Sequence, residues 1–123
     1  MENNEKELNG HFKRNESMWK IWEEHGISSD TEFTVNFHFY ASKKNNMENL
    51  SKELEADNLK YRVNETKTFF FFKGWEIEAD IIQRWTLPLL QAKTCRMLLM
   101  SKQTGVSLEG CGALMPSETN RQD

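Results

Sequence analysis

The fold is decided by residues 68–79, which read Thr-Phe-Phe-Phe-Phe-Lys-Gly-Trp-Glu-Ile-Glu-Ala. Phenylalanine, tryptophan and isoleucine favour strands, so the stretch is predicted to be a central β-strand. Side chains along a strand alternate between its two faces. The core face would hold Phe69, Phe71, Trp75 and Ile77. The opposite face, with Phe70, Phe72, Glu76 and Glu78, would be aromatic at its start and acidic at its end.

Length and composition favour one globular domain. The chain has 123 residues, of which 37% are hydrophobic and 28% charged, enough to build a core without metal or disulfide staples. The net charge of −3 is too small to steer the protein toward nucleic acid or acidic lipid. Cys95 and Cys111 are expected to be reduced and buried, with one disulfide as the alternative. Without a signal peptide or a membrane-length apolar run, we expect a cytoplasmic protein.

The N-terminal residues 1–30 are expected to form a polar extension. Residues 1–13 are predicted to be irregular, because they are polar and show no apolar periodicity. Asn15 is a candidate N-cap for a short amphipathic helix that ends at Gly26. The apolar side of this helix would contain Met18, Ile21 and Trp22, which follow helical spacing.

Residues 31–67 are predicted to contain a strand, a helix and a second strand. Residues 31–40 alternate in polarity, which places Phe33, Val35, Phe37 and Phe39 on one face. Met47, Leu50 and Leu54 form the apolar stripe of the helix. A short strand over residues 59–63 and a turn at residues 64–67 then lead into the phenylalanine strand, its hairpin partner.

The remaining residues are predicted to form a helix, a strand and a polar tail. Thr86 can cap the helix, Pro88 is tolerated in its first turn and Gly105 ends it. Leu89, Cys95 and Leu99 are expected to widen its buried stripe. The last strand would span residues 106–115 and the tail the residues after 116.

This order of elements predicts an α+β fold. Strand, helix, strand, strand, helix, strand is the order of the ferredoxin-like sandwich, in which two helices cover one face of an antiparallel sheet. The domain would span residues 31–116, with residues 1–30 as an extension and residues 117–123 as a tail. The second face of the sheet would be open to solvent or to a partner.

The sequence contains no strong signature of an enzyme, a metal site or a cofactor site. His11, His25 and His38 lack a cysteine or carboxylate at ligand spacing, and no phosphate-binding glycine motif occurs. We therefore expect no catalytic residue, no metal and no cofactor. Two alternatives stay open: Glu76 and Glu78 could act as an acid–base pair, and Cys111, flanked by glycines, could be a nucleophile.

Single-stranded RNA is an alternative ligand, because the RNA-recognition fold shares this strand order and displays aromatic side chains. Its motif begins with Lys or Arg, Gly and an aromatic residue, as do Lys73, Gly74 and Trp75. Glu76 departs from that motif, and carboxylates repel phosphate. Nucleic acid is therefore the less favoured partner.

The open face is better suited to a protein partner, or to a second copy of the chain. Aromatic anchors surrounded by polar groups are typical of protein interfaces. The predicted partner-binding residues are Phe70, Phe72, Glu76, Glu78, His38 and Tyr40, with Glu109 from the last strand added. The carboxylates would meet basic groups and set register and association rate more than affinity.

Several short motifs occur in order along the chain. They are Phe37-His38-Phe39-Tyr40, the helix end from Leu50 to Leu59, Gly74-Trp75-Glu76-Ile77-Glu78-Ala79 and Leu108-Glu109-Gly110-Cys111-Gly112. Together, over Phe33 to Ala113, they resemble the regulator of ribonuclease activity B (RraB) family. The resemblance implies a small, cytoplasmic, ferredoxin-like protein without catalytic activity, which binds ribonuclease E and inhibits or remodels the RNA degradosome. The N-terminal helix is expected to be an addition to this pattern.

Overall fold

The computed structural model describes residues 2–68 and 72–114 as a mixed α+β fold. An N-terminal helix precedes the predicted order of strand, helix, strand, strand, helix and strand. The elements are α1 (Glu2–Glu24), β1 (Glu32–Ala41), α2 (Lys44–Ala56), β2 (Lys60–Thr68), β3 (Phe72–Arg84), α3 (Leu87–Thr104) and β4 (Ser107–Leu114).

The four strands form one sheet in the order β2-β3-β1-β4, and all neighbouring strands are antiparallel. The two central strands, β1 and β3, therefore have a hydrogen-bonded neighbour on each side. The predicted hairpin between β2 and β3 is confirmed, with Val63 opposite Ile77. Its turn is not at residues 64–67, which belong to β2 and pair with residues 73–76 of β3.

One face of the sheet is buried against the helices. Phe33, Val35, Phe37 and Phe39 of β1 are at most 3% exposed, as the alternation of their strand predicts. Ile77, Ala79 and Ile81 of β3 join them in a single cluster with apolar side chains from all three helices. The predicted core residue Trp75 packs against this cluster and is half-buried. The predictions for Phe69 and Phe71 fall outside the described residues.

Helix α3 is capped as predicted, but fewer of its apolar side chains are buried than the sequence predicts. Thr86 accepts a hydrogen bond from the backbone N–H of Leu89 at 3.2 Å, and Gly105 ends the helix in the left-handed region. Leu90, Thr94 and Met97 are buried. The prediction that Leu89, Cys95 and Leu99 are buried is wrong, because they lie on the solvent side of the helix; Leu89 and Leu99 are about half exposed.

Helix α1 is much longer than predicted. It begins at Glu2, so residues 2–13 are helical, and Asn15 lies inside the helix instead of capping it. The inward positions are Leu8, His11, Asn15, Met18, Trp19 and Trp22, which follow helical spacing. Because two of these side chains are polar, a search for apolar periodicity alone detects only the second half of the helix.

Helix α1 packs on the rest of the fold through aromatic and polar contacts. Trp22 meets Phe33 of β1 edge to face, with ring centroids 5.6 Å apart. Asn15 is 3% exposed and donates hydrogen bonds to Gln91 Oε1 at 2.8 Å and Thr94 Oγ1 at 2.9 Å, both on α3. Its side-chain oxygen accepts from the Cys111 thiol of β4 at 3.4 Å. One buried amide thus connects three elements.

We predict that Asn15→Ala lowers the free energy of unfolding by about 1–3 kcal/mol, because partners on α3 and β4 would be left unsatisfied in a buried site. Urea denaturation monitored by tryptophan fluorescence measures this loss. The exposed neighbour Glu16 provides the control, since Glu16→Ala removes a side chain of the same helix without touching the interface. Equal stability of both variants would contradict a structural role for Asn15.

His11 is a buried titratable group on the inward side of α1. The side chain is 3% exposed, and its Nδ1 accepts a hydrogen bond from Arg14 Nη2 at 2.9 Å. Burial, followed by the positive charge of Arg14, lowers the pKa of His11 below its usual 6.5, against the opposing charges of Glu7 and Glu109. The folded chain therefore keeps this imidazole neutral at pH values where the unfolded chain protonates it.

We predict that the free energy of unfolding decreases as the pH falls below about 6.5. The decrease is expected because the unfolded chain binds more protons in this range than the folded chain does. Above that pH the contribution of His11 is constant. Denaturation curves recorded at several pH values test this expectation. The slope should be smaller in His11→Gln and unchanged in the control His25→Gln, which removes an exposed histidine. The same slope in His11→Gln and the parent would rule out this histidine as its source.

Candidate functional site

The open face of the sheet brings predicted residues of β1 and β3 together. None of the three described helices packs on this face. Its polar side chains alternate with the buried ones, as the sequence predicts. Tyr40 lies opposite Glu76, and His38 lies opposite Glu78. Directly opposed positions on one face have Cβ atoms about 5 Å apart, so these four side chains form one patch.

A cavity of about 220 Å³ lies on this patch. Its walls are His38, Tyr40, Glu76, Glu78 and Glu109, with Phe39 and Ile77 also contributing. Five of the seven predicted partner-binding residues therefore line one cavity. Phe72 has the same strand phase as Glu76 but lies roughly 13 Å further along β3, at about 3.3 Å per residue. Phe70 lies outside the described residues, so its prediction stays untested.

Strand β4 contains a bulge at Glu109, beside the cavity. The pairing of β1 with β4 shifts register between His38 and Phe39, and Gly110 adopts a positive φ of 150°. Leu108 and Cys111 both contact the core although three positions separate them, which a regular strand would not allow. Glu109 is the extra residue of this bulge, and its side chain is exposed beside His38 and Tyr40.

The ring of Tyr40 is positioned by a glycine on the neighbouring strand. A Cβ atom placed on Gly74 would lie only 2.0 Å from the Tyr40 hydroxyl oxygen and 2.6 Å from Cζ. The phenol thus lies directly against the backbone of Gly74, one diagonal step from its partner Glu76. Absence of a side chain at Gly74 is what gives the ring its place on the open face.

An ion-pair network occupies the side of the patch that faces β2. Arg62 Nη2 contacts Glu78 Oε1 at 3.0 Å, and Arg62 Nη1 contacts Asp80. The hydrogen bond with Asp80 and its charge raise the pKa of Arg62. Asn36 also donates to Asp80, and His38 Nδ1 lies 3.6 Å from Glu78 Oε1. Glu78 is therefore held by Arg62, with the His38 ring close beside it.

Sequence reasoning missed the second half of this face. Arg62 and Asp80 were not predicted, although Asp80 continues the phase of Glu76 and Glu78 and therefore shares their face. Ile82 and Leu114, which are 58% and 55% exposed, both lie opposite Thr34. They add an apolar end to the face, whereas Phe72 marks the other end of β3.

The two alternatives for an active site, a Glu76–Glu78 acid–base pair and a Cys111 nucleophile, fall on different faces of the sheet. Glu76 lies on the open face, whereas Cys111 packs against the core and contacts Asn15. Burial raises the pKa of the Cys111 thiol to about 12, so the thiolate needed for nucleophilic attack is scarce at neutral pH. In the two described segments, no three His, Cys, Asp or Glu side chains are grouped closely enough to hold a metal ion.

The comparisons with known proteins identify the family. A family model described as regulator of ribonuclease activity B matches residues 13–113. The chain belongs to the RraB family. The match begins inside α1, so the expectation that the N-terminal helix is an addition is wrong for its second half. The residues of α1 that anchor it, Asn15 and Trp22, lie within the family's span.

Other comparisons add little to this assignment. No curated protein matches the sequence. A crystal structure of an unknown protein from Galdieria sulphuraria shares 11% identity with a TM-score of 0.46, covering 72% of this chain and 53% of that one. This chain thus spans about half the length of that protein. Among the described residues, no helix of this RraB-family chain is long and apolar enough to span a membrane.

We predict that Gly74→Ala destabilises the protein by about 1–3 kcal/mol, because the new methyl group would overlap the ring of Tyr40. The double variant with Tyr40→Ala should lose much less stability than the sum of the two single changes, since the ring that is displaced is gone. Urea unfolding of the four proteins in this cycle measures the coupling. Additive losses would show that Tyr40 does not rest on Gly74.

Proposed function

We propose that this chain is a non-catalytic regulator, built on a ferredoxin-like sandwich, that binds a ribonuclease E-like enzyme through its open sheet face and thereby inhibits RNA turnover in the cytoplasm. Membership of the RraB family supports a regulator of ribonuclease activity. The observation that carries the binding surface is the exposed Phe72. A phenylalanine that is 68% exposed at the end of a central strand offers the kind of aromatic contact area that anchors protein interfaces.

The composition of the open face supports a protein partner. Tyr40 and Phe72 supply aromatic contact area, and Ile82 and Leu114 supply apolar area on the same face. Interfaces of regulators typically combine such anchors with a polar rim that sets register. Here the rim would be formed by the carboxylates and by Arg62.

The same charges disfavour RNA as the ligand. Glu76, Glu78, Asp80 and Glu109 lie on the open face, and Arg62, on the edge strand β2, already binds two of them. A phosphate backbone would meet carboxylates where an RNA-binding sheet presents basic groups. Regulation of a ribonuclease would therefore act on the enzyme, not by covering its RNA substrate.

We predict that Phe72→Ala weakens binding to a ribonuclease E-like enzyme roughly thirtyfold, the value expected for losing a hot-spot aromatic of about 2 kcal/mol. Purified chain is added to the enzyme, and both complex formation and the rate of RNA cleavage are measured. Leu89→Ala is the matched control, because it shortens an exposed apolar side chain on α3, away from the open face. It should bind and inhibit like the parent.

Several results would contradict the proposed function. If the parent chain neither binds nor inhibits the enzyme, and capture experiments return only self-association, the open face is a homodimer interface instead. Binding of the chain to single-stranded RNA at low salt, lost on raising the salt, would favour the RNA-recognition alternative. Equal inhibition by Phe72→Ala and the parent would place the interface elsewhere.

A further inference from the structure

The negative charges around the cavity on the open face are balanced by a basic side chain on one side only. Its wall toward β2 contains Glu78, which forms an ion pair with Arg62 at 3.0 Å and lies 3.6 Å from His38 Nδ1. Its other carboxylates are Glu76 and Glu109, both exposed. Over residues 2–68 and 72–114, neither forms an ion pair with a basic side chain, although Ser107 donates to Glu109 at 3.2 Å. The cavity therefore has unmatched negative charge on one side.

The chain itself shows which cation this surface accommodates. Arg62 extends from β2 across the open face and contacts Glu78 and Asp80, which are two residues apart on β3. A planar guanidinium can serve two carboxylates at once, whereas an ammonium acts as a point charge. Glu76 lies on the other side of Glu78 along β3, Glu109 lies on β4 across the intervening strand β1, and both line the cavity.

Tyr40 adds the second feature that an arginine side chain requires. Tyr40 lines the cavity from β1, the strand between Glu76 of β3 and Glu109 of β4, and its ring rests against Gly74. Guanidinium groups stack on aromatic rings, and the attraction grows when the pair is partly removed from water. A positioned ring between two carboxylates therefore favours arginine over lysine.

We propose that this cavity receives an arginine side chain from a basic segment of the protein partner, with the guanidinium against Tyr40 and paired to Glu76 and Glu109. This inference rests on the proposed function, since it specifies the chemistry of the partner at the same open face. Arg62 would remain on Glu78 and Asp80, so the partner adds a second arginine beside the first. Phe72 would then anchor the apolar part of the interface, further along β3.

The test uses the full chain, labelled with ¹⁵N, and two probes of equal charge, a hexa-arginine and a hexa-lysine peptide. At low salt, where surface charges are least screened, we expect amide shifts concentrated at Tyr40, Glu76 and Glu109. Hexa-arginine should bind at least threefold more tightly than hexa-lysine. Tyr40→Leu should remove this preference, because the aromatic ring that distinguishes the two cations is lost.

A matched pair of double variants separates the site from general charge attraction. Glu76→Gln with Glu109→Gln removes both proposed ligands, and we expect the dissociation constant for hexa-arginine to rise at least tenfold. Glu23→Gln with Glu24→Gln removes the same number of charges from an exposed position in α1, and we expect a change of less than twofold. The amide spectra of both variants show directly whether the fold is retained.

The outcomes distinguish this inference from the proposed function. If both double variants weaken the peptide equally, or the shifts spread over the whole surface, the arginine site is overturned even where the ribonuclease is still inhibited. Equal affinity for both peptides would leave a general cation site and also overturns the proposal. If hexa-arginine binds at the cavity but the ribonuclease does not bind the chain, the proposed function fails and the chemistry of the cavity stands.

Discussion

The antiparallel register of β1 and β3 is the constraint on which the rest of the structure depends. Because Phe37 lies opposite Ala79 and Phe39 opposite Ile77, every large apolar side chain of β1 falls on one face. All three helices pack there. The same register forces Tyr40 beside Glu76 and His38 beside Glu78 on the other face. A slip of one residue would bury the charged side chains of the open face and expose the aromatic side chains of the core. The same strand register therefore determines both the core and the cavity.

The edge strand β4 obeys this constraint only through its bulge. Without the extra residue of the bulge, Glu109, the side chains of Leu108 and Cys111 could not both face the core. Gly110 is the next residue and pairs with His38. Glycine suits this position because its φ of 150° is unfavourable for residues with a side chain. Gly74 has a different purpose, since it provides space for Tyr40. Two glycines thus shape the cavity, one through its backbone and one through its missing side chain.

Alternation of polarity made the sheet predictable, and the same reasoning correctly grouped Tyr40, Glu76 and Glu78. It failed for α1, where the inward positions include His11 and Asn15, because pattern analysis treats a polar residue as exposed unless its partners are known. Those partners, Gln91 and Thr94, lie far along the chain. The prediction that Cys95 and Leu99 are buried was wrong for the opposite reason, because an apolar side chain on a helix need not face the core. Arg62 was missed because an ion pair across strands depends on register.

Polar side chains on the two sides of the sheet differ in how many hydrogen-bond and ion-pair partners they have. On the helix side, Asn15 and Thr94 are buried and have hydrogen-bond partners, so they stabilise the docking of α1 and α3. On the open side, Arg62 satisfies Glu78 and Asp80, whereas Glu76 and Glu109 face the cavity beside an aromatic ring. A guanidinium from a partner would complete on this side of the cavity what Arg62 completes on the other.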